Sequence, residues 1–108
     1  PSATDLPNLA INHAVTALEA CVAVAVQATA TLPPLGFLHE DSAKGWVLDV
    51  CDLYRTTVTV PIAFRCAREQ LRREDTTLDR RVRRAVSAHV RKTGFVDQVI
   101  DDIKDLLA

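Results

Sequence analysis

His39, Asp49 and Asp52 are the residues of this chain best suited to chemistry, with Arg55 one helical turn beyond them. His39 closes the run Gly36-Phe37-Leu38-His39, and nine residues separate it from Asp49-Val50-Cys51-Asp52. On a helix, a spacing of three puts Asp49 and Asp52 on one face. A neutral imidazole with carboxylate oxygens is a ligand set for a divalent cation, and Mg²⁺ or Mn²⁺ gains favour as carboxylates are added. Such an ion polarises a scissile phosphate or activates a hydroxyl. The same residues also read as an ordinary solvated surface, and spacing alone leaves both readings open. Cys51 points about 100° away from Asp52 around a helix, toward packing rather than ligation.

A second candidate is a row of cations. Arg80, Arg83, Arg84 and Arg91 share one side of a helix whose other side carries Val82, Val86 and His89. Guanidinium matches phosphate geometry, and neutralised phosphates release counterions, so the row suits a sequence-independent contact to a nucleic-acid backbone. The plainer alternative is a solvated face. The net charge of −1 conceals the asymmetry. Residues 65–92 hold ten basic and four acidic side chains, residues 1–64 two and six, and residues 93–108 one and four.

The elements that must position these groups are helical. Hydrophobic residues make up 48% of 108, and glycine occurs only 3 times, which suits one all-α domain of four or five helices. Asp5-Leu6-Pro7 opens a helix that runs, rich in alanine and valine, to Thr29. A helix apolar nearly all round belongs at the centre of the bundle. Pro33 and Pro34 must end it. His39 to Gly45 reads as a polar connection, followed by a helix from Trp46 to Val60. On it Val47, Val50, Cys51, Tyr54 and Val58 face the core, opposite Asp49, Asp52, Arg55, Thr56 and Thr59. Pro61 kinks or interrupts that helix, and Ile62 to Leu71 is helical again. Thr77 starts the arginine-bearing helix, Gly94 closes it, and Phe95, Val99, Ile103 and Leu106 form the apolar face of the last one.

Several functions are excluded or disfavoured. There is no G-x-S-x-G nucleophile elbow and no phosphate-cradling glycine loop. No uninterrupted apolar run reaches membrane-spanning length, and no cationic cleavable leader opens the chain. Cys21, Cys51 and Cys66 form no C-x-x-C pair and read as reduced, mostly buried thiols of a cytosolic protein. His89 reads as core, His13 as a weak cleft candidate, and Trp46 and Tyr54 as core anchors.

Taken together, Asn8, the Gly-Phe-Leu-His run ending at His39, V-L-D-V-C-D-L-Y-R at 47–55, T-V-P-I-A-F at 59–64 and D-R-R-V-R at 79–83 resemble one known family. It is the C-terminal helical domain of the CRISPR-associated adaptation integrase, in its type I-E form. The likeness covers nearly the whole chain. It implies a metal-dependent DNA endonuclease and integrase that inserts short foreign DNA into a CRISPR array by transesterification. His39 and Asp52 match the family's metal ligands for Mg²⁺ or Mn²⁺, and Asp49 its neighbouring active-site acid. Arg55 stands at a basic active-site position, and Arg80 and Arg83 match DNA-backbone arginines beside Arg84. Implied partners are double-stranded DNA (the prespacer and the CRISPR repeat), a second copy in a homodimer, and a small second adaptation subunit. The implied location is the prokaryotic cytoplasm, with no membrane partner.

Residues 1–108 would then be the catalytic lobe alone. The family's third ligand, a Glu, and its N-terminal β-rich domain lie upstream of the segment matched here, so the lobe by itself is expected to be inactive. The reading of another class is a non-catalytic helical module that binds the DNA backbone through its arginine face.

Overall fold

The computed structural model describes residues 5–29 and 40–107. The architecture is all-α: α1 (Leu6–Thr29), α2 (Glu40–Leu53), α3 (Val60–Arg72), α4 (Leu78–Thr93) and α5 (Phe95–Leu107). One π-helical turn, Arg55–Thr59, joins α2 to α3. The segments containing Pro33, Pro34 and His39 lie outside the described residues.

α1 is the hub, packed against each of the other four helices. Leu6, Ala10, Ala14, Leu18, Val22, Val26 and Thr29 form its buried stripe, a repeat of four and three that keeps one face inward. Alanine at 10, 14 and 25, all fully buried, lets neighbouring backbones approach closely. Burial is not all round, however: Leu9 and Val24 remain exposed. By length and composition alone α1 would cross a membrane, with a mean hydropathy of 1.7 over its most apolar window. Alanine and valine raise that mean, while Thr16 and Glu19 interrupt the unbroken apolar run considered in the sequence. In the fold its apolar stripe is covered by helices.

α2 begins at Glu40, six residues before the expected start, and runs through Gly45, where glycine costs about 1 kcal/mol in a helix interior. Val50, Cys51, Tyr54 and Val58 are buried, and Asp49, Asp52, Arg55 and Thr56 are exposed. Thr59, expected on the polar side, is buried at 2% exposure. The π turn explains this difference. The Thr59 amide donates to the Tyr54 carbonyl at 3.2 Å, five residues back, and the extra residue in that turn rotates Thr59 inward. Pro61, which has no amide proton, then sits in the first turn of α3 where none is needed.

Gly94 ends α4 in the left-handed conformation (φ 64°, ψ 38°), and its amide donates to the Val90 carbonyl. α5 buries Phe95, Val99 and Ile103. Leu106, assigned to the same face, lies outside the described side chains. The Phe95 ring meets Tyr54 edge-on with centroids 4.9 Å apart, and the half-buried His89 ring lies 6.1 Å from it. The Tyr54 hydroxyl donates to Asp102 Oδ2 at 2.5 Å, tying α2 to α5.

Candidate active site and nucleic-acid interface

Asp52, at the C-terminal end of α2, and Arg55, the first residue of the π turn, line a cleft of about 290 Å³ against α1. Leu18, Glu19, Cys51 and Thr59 form its other walls. Asp49 lies one turn earlier, exposed, and is not part of that lining. His39 falls outside the described residues, so the structure tests neither its position nor its pairing with Asp52. Among the described residues no three His, Cys, Asp or Glu side chains already form a metal cage.

The donors facing the cleft, Glu19 and Asp52, are carboxylates of the hard-oxygen type that Mg²⁺ and Mn²⁺ prefer. Cys51 senses both. Burial pushes its thiol up to about 11, and the Glu19 and Asp52 carboxylates push in the same direction. A thiol held that high stays protonated at neutral pH and is a poor ligand, in keeping with its role in packing. Burial likewise raises Cys21 and Cys66, and all three cysteines are free.

Glu19 went unassigned in the sequence as a site residue, yet a signal was there. It is the only Asp, Glu, Lys or Arg on α1. A carboxylate on the central, apolar helix has to find a polar opening, and the cleft beside Asp52 is that opening.

On α4 the expected arginine row is present: Arg80, Arg83, Arg84 and Arg91 are all exposed. Arg83 is partly quenched by Asp79 one turn before it, with Nη2 to Oδ2 at 3.3 Å. A hydrogen bond from Thr77, then the Arg80 amide and the Arg83 charge, hold the Asp79 carboxyl below its ordinary value. Arg81, between the members of the row, turns inward and is 8% exposed. It pairs with Glu69 at 3.5 Å and with Asp75. Arg84 lines a separate cleft of about 480 Å³ between α3 and α4, with Arg65, Glu69 and Arg81.

Across almost its full length the sequence matches curated proteins of one kind. It is 33% identical over 105 residues to a CRISPR-associated endonuclease Cas1 of Rhodospirillum rubrum, covering 95% of this chain and 34% of that protein. A Cas1 of Geobacter sulfurreducens is 29% identical over 96% of the chain and 33% of its own length. That of Escherichia coli K12 is 31% identical over 96% and 33%. The chain belongs to the Cas1 family. It corresponds to the C-terminal part of Cas1 and spans about a third of the length of the curated relatives it matches. No family model matches the chain, and no solved structure does.

Proposed function

We propose that this chain is the helical lobe of a metal-dependent DNA endonuclease and integrase of CRISPR adaptation. The observation that carries the reading is a Cas1-like sequence whose fold sets an exposed carboxylate, Asp52, and a cation, Arg55, at one cleft. His39 and Asp52 are the residues that would hold Mg²⁺ or Mn²⁺, with Asp49 as the adjoining acid. When bound, the ion supplies Lewis-acid polarisation of the phosphate and lowers the pKa of the attacking hydroxyl.

The chain's own residues do the rest. Arg55 offsets charge on a phosphate at the cleft mouth, a contact that strengthens as charge develops in the transition state. Arg80, Arg83 and Arg84 hold the backbone of double-stranded DNA (prespacer and CRISPR repeat) and set its register without reading bases. The buried wall of Leu18 and Cys51 excludes water from one side of the cleft and strengthens the electrostatics there. The reaction is transesterification of an array phosphodiester by a DNA 3′-hydroxyl. A homodimer with a small second adaptation subunit, in the prokaryotic cytoplasm, completes the proposal.

The experiment is DNA cleavage in Mn²⁺ by the full-length gene product with Asp52→Ala or His39→Ala. Activity should fall by at least about 10²-fold, with an unchanged circular-dichroism spectrum. Activity retained by both variants sinks the reading. The alternative, a non-catalytic module using the Arg80, Arg83 and Arg84 face alone, predicts salt-sensitive DNA binding that ignores both metal and the Asp52 substitution.

A further inference from the structure

α3 carries its own row of arginines. Arg65, Arg68 and Arg72 are spaced by three and four, all exposed, on the side opposite the buried Ile62, Ala63, Cys66 and Ala67. What makes the row notable is where the neighbouring acids have gone. Glu69 on the same helix and Asp75 in the following linker both turn to Arg81 of α4. Among the described residues, the ion pairs are those two and Arg83–Asp79, and none involves Arg65, Arg68 or Arg72. One inward-facing arginine therefore occupies two of the three acids nearest the α3 row in sequence, Glu69 and Asp75, and leaves only Glu74 beside it.

The two rows are also joined. Arg65 of α3 and Arg84 of α4 line the same cleft of about 480 Å³ together with Arg81 and its partners Glu69 and Asp75, so exposed arginines stand on both sides of the α3–α4 junction rather than along α4 alone. The dimensions suit a phosphate backbone. Arg65 to Arg72 spans about 10 Å at 1.5 Å per residue, and each strand of a duplex presents a phosphate every 3.4 Å or so along its axis.

We propose that Arg65, Arg68 and Arg72 of α3 form a second contact surface for the backbone of duplex DNA, continuous with the α4 arginines through Arg84. The inference rests on the DNA-binding part of the function proposed above. It departs from it in the residues used, because neither the arginine row of α4 nor the motifs shared with the family include this face. Three exposed, unneutralised guanidiniums release counterions on binding. The partly quenched Arg83 contributes less per side chain.

The test is the salt dependence of binding between the full-length gene product and a random-sequence DNA duplex. Arg65→Gln with Arg68→Gln should lower the slope of log K against log salt by about 2, close to 0.9 for each lost phosphate contact. Arg65→Lys with Arg68→Lys should retain most of the slope, and Lys104→Gln on α5 should leave it unchanged. All these side chains are exposed, so melting temperatures should match wild type. A slope unchanged in the Gln double variant but reduced by Arg80→Gln with Arg83→Gln overturns the α3 surface and leaves the α4 reading standing. Wild-type protein that does not retain the duplex at low salt overturns both. Stronger retention of duplex RNA than of duplex DNA also overturns the assignment.

Discussion

Arg81 of α4 donates from Nε to Oε1 of Gln70 on α3 at 2.8 Å, buried at the junction of the two helices. Its Nη2 donates to the Arg73 carbonyl at 2.9 Å, and Gln70 in turn donates to the Thr76 carbonyl at 2.9 Å. One planar fork thus satisfies the end of α3 and fixes the linker that leads into α4. Arg81→Ala should destabilise the fold by about 2 kcal/mol, since the loss includes hydrogen bonds to a charged donor and leaves Gln70 underpaired. Arg81→Lys should recover less than half, because an ammonium cannot span these acceptors. Denaturant titration of the three proteins checks both statements; a Lys variant as stable as wild type contradicts the fork.

Asp75 extends the same node into acid. Its hydrogen bond from Arg81 holds the carboxyl below its ordinary value. A carboxyl whose folded pKa is depressed stabilises the fold above its unfolded pKa and loses that contribution as pH falls through the folded value. Stability should therefore decline as pH drops below about 4, the unfolded Asp range. Asp75→Asn should reduce this decline while lowering stability modestly at neutral pH. Melting temperatures at pH 7, 5 and 3 read the difference, and parallel curves for both proteins would exclude the pairing as its source.

Tyr54 makes two separable contacts. The ring packs edge-on against Phe95, and the hydroxyl donates to Asp102. Burial, and then the Asp102 carboxylate, raise the phenol well above its ordinary value, so it remains a donor through the physiological range. Tyr54→Phe should cost about 1 kcal/mol, the net worth of a typical hydrogen bond. Tyr54→Ala should cost about 3–5 kcal/mol through the cavity it leaves against Phe95. Equal losses in the two variants would mean that the hydroxyl, not the ring, holds α2 to α5.

Cys51 reports on the carboxylates of the cleft. With its thiol at about 11, alkylation by iodoacetamide at pH 8 should be slow in the native protein. Glu19→Gln removes one of the two charges that raise the thiol and should accelerate labelling of Cys51, leaving Cys66 unaffected. Site-resolved mass spectrometry measures both rates. An unchanged Cys51 rate would show that Glu19 does not face this cleft as described.

Much of the fold was legible without coordinates. The repeat of Phe95, Val99 and Ile103 needs a buried helical face, and Gly94 supplies the left-handed residue that separates it from α4. The outward side of α2, with Asp49, Asp52 and Arg55, followed from the same periodicity. Thr59 did not, because a single π turn before Pro61 adds a residue to the repeat, and periodicity assumes a constant step.

The candidate site divides along the same line. By itself the sequence determined the helical class, the exposed carboxylates of α2, the cations of α4 and the kinship with Cas1, since these depend on residue type and local spacing. Only the tertiary structure decided that Glu19 shares a cleft with Asp52, that Arg81 points inward while Arg80 and Arg84 stay out, and that among the described residues Arg65, Arg68 and Arg72 of α3 form no ion pair. Local periodicity determines the direction in which a side chain leaves its own helix. What it meets there depends on which other helix packs alongside, and that choice is made by the shared core around α1.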